Sequence, residues 1–217
     1  MRSHTEHLVT LTAGRTAALA GVAAASGVTL NTVLQYVWAS VLGDLTGTDD
    51  IVFGAVVSGR PASIPGIDAM VGSFINTVPV RVRRRDNLPI GARLRALQAE
   101  QAVLLDHHHL GPAEIEAAAG VPVREYFDTL LVFESYPVDV APTPLTVGDL
   151  VLTDLSSREI TLFPLTATVW PREQLTVALN WHRDLLDDDL ARRVIARLEA
   201  ELERVAALPA DGANGER

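Results

Sequence analysis

Three consecutive imidazoles, His107, His108 and His109, stand out among the residues able to do chemistry. An imidazole titrates near neutrality and can act as a general base or a metal ligand. Metal binding needs ligands converging from several directions, whereas neighbours on a helix end point about 100° apart. With no cysteine in the chain and no histidine four residues away, no zinc site is indicated. The three rings fit a helix C-terminus, where the dipole favours them. Two further strips set polar groups beside apolar runs. Ser58, Gly59 and Arg60 directly follow a run of strand length, where loops of α/β proteins often carry function, although Gly-Arg-Pro is also a plain turn. Gly72, Ser73, Asn76 and Thr77 surround Phe74 just before another strand. Asn and Thr there can hydrogen-bond an amide or satisfy a bulge.

Other nucleophiles are poorly provided. No Gly-x-Ser-x-Gly elbow, phosphate loop or Gly-x-Gly-x-x-Gly occurs. All eighteen basic residues are arginine, so neither a thiol nor a lysine Schiff base is available. The carboxylates at Asp49-Asp50 and Asp187-Asp188-Asp189 read as turn and helix-start residues. No self-sufficient catalytic constellation is visible.

The elements that position these residues follow from periodicity. An alanine-rich helix is expected over 13–25, stopped by Gly27, and Thr29 or Asn31 can cap the next. That second helix, 30–45, carries Leu30, Val33, Leu34, Val37, Trp38, Val41, Leu42 and Leu45 at three- and four-residue steps, the strongest amphipathic signal of the chain. Residues 51–57 form a continuous apolar run that suits a strand buried on both faces. Residues 58–66 hold Gly, Pro and Ser and must be a loop. The pattern then predicts a strand at 74–83, a long helix at 88–110, a short helix at 112–119 and a strand at 127–133. A proline-rich loop at 137–144, strands at 150–155, 161–170 and 174–181, and a closing helix at 187–208 complete the order. A weak strand is expected at 8–11, with residues 1–7 flexible and 209–217 disordered around a single domain at 8–208. The order lacks a regular βαβ rhythm, which favours an α/β two-layer sandwich: a mixed sheet with helices packed on it.

Composition bounds the rest. A chain of 217 residues with 48% apolar and 21% charged residues suits one folded domain with a sizeable core. The net charge of −9 argues against nucleic acid, which demands a basic footprint. The local exception, Arg81-Val82-Arg83-Arg84-Arg85, reads as a solvated strand end, with an acidic carrier surface or a phosphate as the alternative. No apolar stretch of eighteen residues exists, and the first seven residues carry no signal-like core, so neither a membrane span nor secretion is expected. The missing cysteines suit a reducing cytoplasm.

Taken together, the segments resemble condensation domains of nonribosomal peptide synthetases. Met70-Val71-Gly72-Ser73-Phe74-Ile75-Asn76-Thr77-Val78-Pro79-Val80-Arg81 is similar to that family's Gly-x-Phe-Val/Ile-Asn-Thr motif with its following strand. Val28-Thr29-Leu30-Asn31-Thr32-Val33-Leu34-Gln35, Asp49-Asp50-Ile51-Val52-Phe53-Gly54 and Ser58-Gly59-Arg60-Pro61 resemble the helix and strand before it. Residues 106–115, Phe127-Asp128-Thr129-Leu130-Leu131-Val132-Phe133-Glu134-Ser135-Tyr136-Pro137 and Trp181-His182-Arg183-Asp184-Leu185 resemble later segments, in the family's order.

The resemblance implies a chloramphenicol-acetyltransferase-like fold and covers the second of the family's two lobes. The family's His-His-x-x-x-Asp-Gly motif belongs to the first lobe, and the trihistidine is no substitute, being followed by Leu110-Gly111-Pro112. By the same resemblance, two lobes enclose a tunnel where an amine attacks a carrier-bound thioester. Ser58, Gly59, Arg60, Gly72, Ser73, Asn76 and Thr77 would line the tunnel and its phosphopantetheine path. Residues 58–70 would form a floor loop, and Thr161, Phe163 and Pro164 a crossover to the first lobe. The implied partners are that first lobe, peptidyl carrier proteins and adjacent synthetase domains, with self-association through the uncovered face. No bound cofactor, metal, nucleic acid or membrane is implied. Alone, the lobe should be inactive. The alternative is a non-catalytic platform that recruits carrier proteins or tailoring enzymes.

Overall fold

The computed structural model describes residues 4–60, 64–84, 87–122, 125–134, 145–148, 150–152 and 163–208. Two helices open the fold after a strand, β1 (His4–Thr10): α1 (Ala13–Ser26) and α2 (Leu30–Thr46). Each starts at a threonine whose side chain accepts a main-chain N–H, Thr12 from Arg15 and Thr29 from Thr32. Next come β2 (Asp50–Val57), β3 (Asn76–Arg83), α3 (Ile90–Leu104), α4 (Pro112–Ala119) and β4 (Thr129–Phe133). A small hairpin, β5 (Leu145–Val147) with β6 (Leu150–Leu152), precedes β7 (Leu165–Trp170), β8 (Thr176–His182) and α5 (Asp188–Ala206).

Six strands form one mixed sheet in the order β1-β8-β7-β4-β2-β3. The central β7, β4 and β2 are parallel neighbours, and the outer pairings are antiparallel. Alternation along the strands sends Ile51, Phe53 and Ala55 of β2, Leu131 of β4, Leu165, Ala167 and Val169 of β7 and Val177, Leu179 and Trp181 of β8 into one core. The helices α1, α2, α3 and α5 contact one another there, with α2 also against β2 and β4. The architecture is thus the expected two-layer sandwich.

The middle helix departs from its amphipathic reading. Every residue of α2 from Thr32 to Gly43 is buried, because sheet, α1, α3 and α5 surround it. Its polar residues are therefore matched by α3. Gln98 Oε1 accepts from the Thr29 N–H (2.7 Å) and the Thr32 hydroxyl (3.1 Å), while its Nε2 donates to the Gly27 carbonyl. Gln101 likewise donates to Gln35. One α3 side chain thus caps the start of α2 from outside. Gln98→Ala should lower stability by about 1–2 kcal/mol, the scale of a lost cap. A denaturant midpoint that falls at unchanged slope would register it, and an unmoved midpoint would show that the bridge contributes nothing.

Several boundaries differ from the sequence reading. Residues 4–7, expected to be flexible, belong to β1, where His4↔His182 through His7↔Leu179 pair antiparallel. The strand shows no clean alternation, with Val9 its only buried side chain, so the backbone ladder carries the pairing. The expected helix at 88–110 is shorter: α3 ends at Leu104 and a 3-10 turn follows at Leu105–His107. The expected strand at 161–170 begins only at Leu165, and β5 was not foreseen. Residues 1–3, 61–63, 85–86, 135–144, 153–162 and 209–217 lie outside the described residues, among them Pro61, Arg85, the proline-rich loop, Thr161 and the tail.

Candidate functional site

Ser58, Gly59 and Arg60 leave the carboxyl end of β2, and Val57 pairs with Asn76 at the start of β3. That register returns the chain to the same end of the sheet, so the two polar strips meet. Gly59 has φ +60, and a Cβ there would overlap the carbonyl oxygen of Phe74. Only glycine suits this backbone and this approach. Arg60 closes the loop: its guanidinium donates to the carbonyls of Ile67 and Met70 (3.1 Å for the latter) and lies 4.3 Å from the centre of the Phe74 ring. These carbonyls flank a 3-10 turn at Ile67–Ala69, and Arg60 supplies donors that such a turn end lacks internally.

Asn76 turns the other way. Its Nδ2 donates to the carbonyls of His108 (2.9 Å) and Leu110 (2.7 Å), and its Oδ1 accepts from the Thr77 N–H. Ser58, Gly72 and Ser73 are accessible, and Ile64, Met70 and Ile75 are exposed around them, with Val71 wholly in solvent. These apolar side chains lie open to solvent beside the polar strips.

The other candidates lie elsewhere. Phe163 stacks on Phe127 with ring centres 5.7 Å apart. Phe127 in turn rests over Gly54, where a Cβ would come within 2.5 Å of its ring. The Pro164 carbonyl accepts from the His182 N–H (3.0 Å). Because β2, β4 and β7 run parallel, the start of β7 lies at the end of the sheet opposite Ser58. The structure therefore does not bring Phe163 and Pro164 to the polar loop. Phe163 meets Phe127 and the Pro164 carbonyl meets β8, while Thr161 is outside the described residues.

Of the three histidines, His108 is half-buried, and burial lowers its imidazole pKa from the ordinary value. Asn76 grips its main chain, and no hydrogen bond to its ring is present among the described residues. The described arginines of the run, Arg81, Arg83 and Arg84, each meet a carboxylate. Arg81 binds Asp50 through two nitrogens, Arg83 meets Glu100 at 3.5 Å and Arg84 meets Asp44 at 2.8 Å. Arg81 also holds the Asp50 carboxyl below the usual carboxylate range. Arg81 and Arg83 remain about half exposed at the end of β3, as expected of a solvated strand end, while pairing with carboxylates of this chain.

One feature escaped the sequence. A cleft of about 580 Å³ lies between Val52 and Pro79 of the sheet, Leu104 of α3, Ile115 of α4 and Tyr126. Its walls come from residues up to 76 positions apart, Asp50 to Tyr126, so no local pattern announces it.

At the carboxyl end of β2, polar loops and exposed apolar side chains come together on a mixed α/β sandwich. The chain belongs to the condensation-domain family, whose sequence model matches residues 2–216. It is similar to vanchrobactin synthetase VabF of Vibrio anguillarum, at 39% identity over 177 residues, covering 82% of this chain and 6% of that protein. Among solved structures it superposes on holo T3CT with a TM-score of 0.77 at 18% identity, covering 96% of this chain and 47% of that one. The X-domain from teicoplanin biosynthesis gives a TM-score of 0.77 at 21% identity, with 96% and 48% covered. The fold is the chloramphenicol-acetyltransferase-like one, and the chain spans about half of these structural neighbours.

Proposed function

We propose that this chain builds one wall of an amide-forming acyl-transfer site on a nonribosomal peptide synthetase, while another stretch of polypeptide carries the imidazole that handles the proton. In that reaction an amine attacks a thioester carbonyl, a C–N bond forms, the C–S bond breaks, and the amine proton passes to a base as the thiolate leaves. The substrates are phosphopantetheine-tethered aminoacyl or peptidyl thioesters on carrier proteins, and the chain needs no bound cofactor of its own. The observation that carries this reading is the convergence of Ser58–Arg60 with Gly72–Thr77 at one sheet end, ringed by exposed Ile64, Met70, Val71 and Ile75. Membership of the condensation family supports it, as does the absence of a His-His-x-x-x-Asp-Gly sequence from these 217 residues.

Within the strip, Ser58, Ser73 and Thr77 offer hydroxyls to the amides of a pantetheine arm, and Gly72 lets its backbone approach. Arg60 and Asn76 serve the wall from behind, their donors being engaged. The test is backbone NMR with a pantetheine-loaded carrier protein. Shifts concentrated at 58–60 and 72–77 support the wall, and a carrier that perturbs none of these residues refutes it. A recruiting platform would also bind the carrier. It differs in forming no amide when a His-His-x-x-x-Asp-Gly half is present.

The apolar loop edge has a further consequence. Uncovered, it should drive self-association, so light scattering should show a mass that rises with concentration, and Val71→Asp should reduce it. A concentration-independent monomer would contradict this.

A further inference from the structure

The turn between α3 and α4 contains two main-chain oxygens that the local chain cannot satisfy. In a continuing helix the His108 carbonyl would accept from the N–H of residue 112, but that residue is Pro112 and has none. The Leu110 carbonyl would accept from Glu114, whose N–H is bonded to the Gly111 carbonyl instead (3.1 Å). Both orphaned oxygens are taken by one side chain 32 and 34 positions away, the Asn76 carboxamide, at 2.9 and 2.7 Å. A carboxamide has two N–H donors, and both are spent here. Its oxygen faces back to its own strand through the Thr77 N–H at 2.9 Å.

We infer that Asn76 is a positioning residue and not a substrate ligand: it seats the α3–α4 turn on the first residue of β3. The exposed apolar end of α3, with Val103, Leu104 and Leu105, is thereby held in fixed register with the Gly72–Thr77 strip. This rests on the reading of that strip as a wall of the acyl path and adds that the wall's width is set by Asn76. Ligand contacts then fall to neighbours. The Thr77 hydroxyl, half-buried and engaged in no hydrogen bond among the described residues, is the nearest of them.

Hydrogen exchange of the full chain, without carrier or substrate, tests the inference independently of the acyl-transfer reading. In Asn76→Ala, peptides covering 105–111 should exchange about tenfold or more faster, while the β2–β3 ladder keeps its protection. Asn76→Asp places a carboxylate against two carbonyl oxygens, so its pKa in the folded state rises above the ordinary value of about 3.9. Protection of the turn should then be present at acidic pH and lost as pH rises through that raised value. The neighbouring imidazoles of His107, His108 and His109 are present in all variants, so any contribution from them is read from the wild type and from Asn76→Ala, whose difference should stay constant with pH. Unchanged turn exchange in Asn76→Ala, or loss of protection spread equally over the β2–β3 ladder, overturns the inference. So does a pH-independent Asn76→Asp. If the aspartate variant does not fold, the alanine result decides alone. Failure of carrier binding would sink the wall reading and leave this result standing.

Discussion

Gly59→Ala should open the polar loop while leaving the helices folded. The left-handed backbone at φ +60 costs an alanine roughly 1–2 kcal/mol. The overlap of its Cβ with the Phe74 carbonyl adds to that, because neither group is the free end of a flexible side chain. The loop cannot keep both the Arg60 bridges to Ile67 and Met70 and the Phe74 ring beneath the guanidinium once Phe74 is pushed away. Exchange protection at 64–75 should fall strongly, helical circular dichroism should persist, and carrier-dependent shifts at 58–60 and 72–77 should vanish. An alanine variant with wild-type exchange in this loop would show that the close approach of residues 59 and 74 is not maintained.

Trp38→Ala should come near to unfolding the domain. Trp38 is 1% exposed at the centre of a helix buried on all sides. Truncation of a buried Trp or Phe to alanine costs about 3–5 kcal/mol, a large share of the 5–15 kcal/mol that holds a typical domain. Trp38→Phe should cost much less. The indole N–H is buried without a hydrogen-bond partner among the described residues, so phenylalanine keeps most apolar contacts and removes an unsatisfied donor. Urea titration of the three proteins should rank wild type close to phenylalanine and far above alanine. Equal midpoints for alanine and wild type would mean that α2 is not the keystone of the core.

What the sequence made legible was whatever depends on neighbours along the chain. The helix at 30–45 and the run at 51–57 announce themselves through local apolar spacing, although the burial of α2 on all sides does not follow that spacing. The limits of β1 were hidden because His4, Thr5, Glu6 and His7 carry no buried side chain and are held by a ladder to residues 172 to 178 positions away. Beyond the end of α3, Pro112 leaves the His108 carbonyl without a helical donor, and Asn76 collects it in a contact across 32 residues that no local pattern announces. The polar strips Ser58–Arg60 and Gly72–Thr77 are visible along the chain, but their meeting needs the β2–β3 register. Arg60 and Asn76 carry the right chemistry for ligands, and nothing local reveals that main-chain oxygens of this chain already occupy them. Gly54 offers the same lesson, since its lack of a Cβ matters only because Phe127 lies over it.

The most direct test joins this chain with a polypeptide bearing the His-His-x-x-x-Asp-Gly half of a condensation domain and supplies both carrier-bound thioesters. Mass spectrometry of the carriers then reads amide formation. The account predicts product only in the mixture, abolished by alanine at the second histidine of that motif and unchanged when His107, His108 and His109 of this chain all become alanine. Product from this chain alone, lost with those three imidazoles, would contradict it.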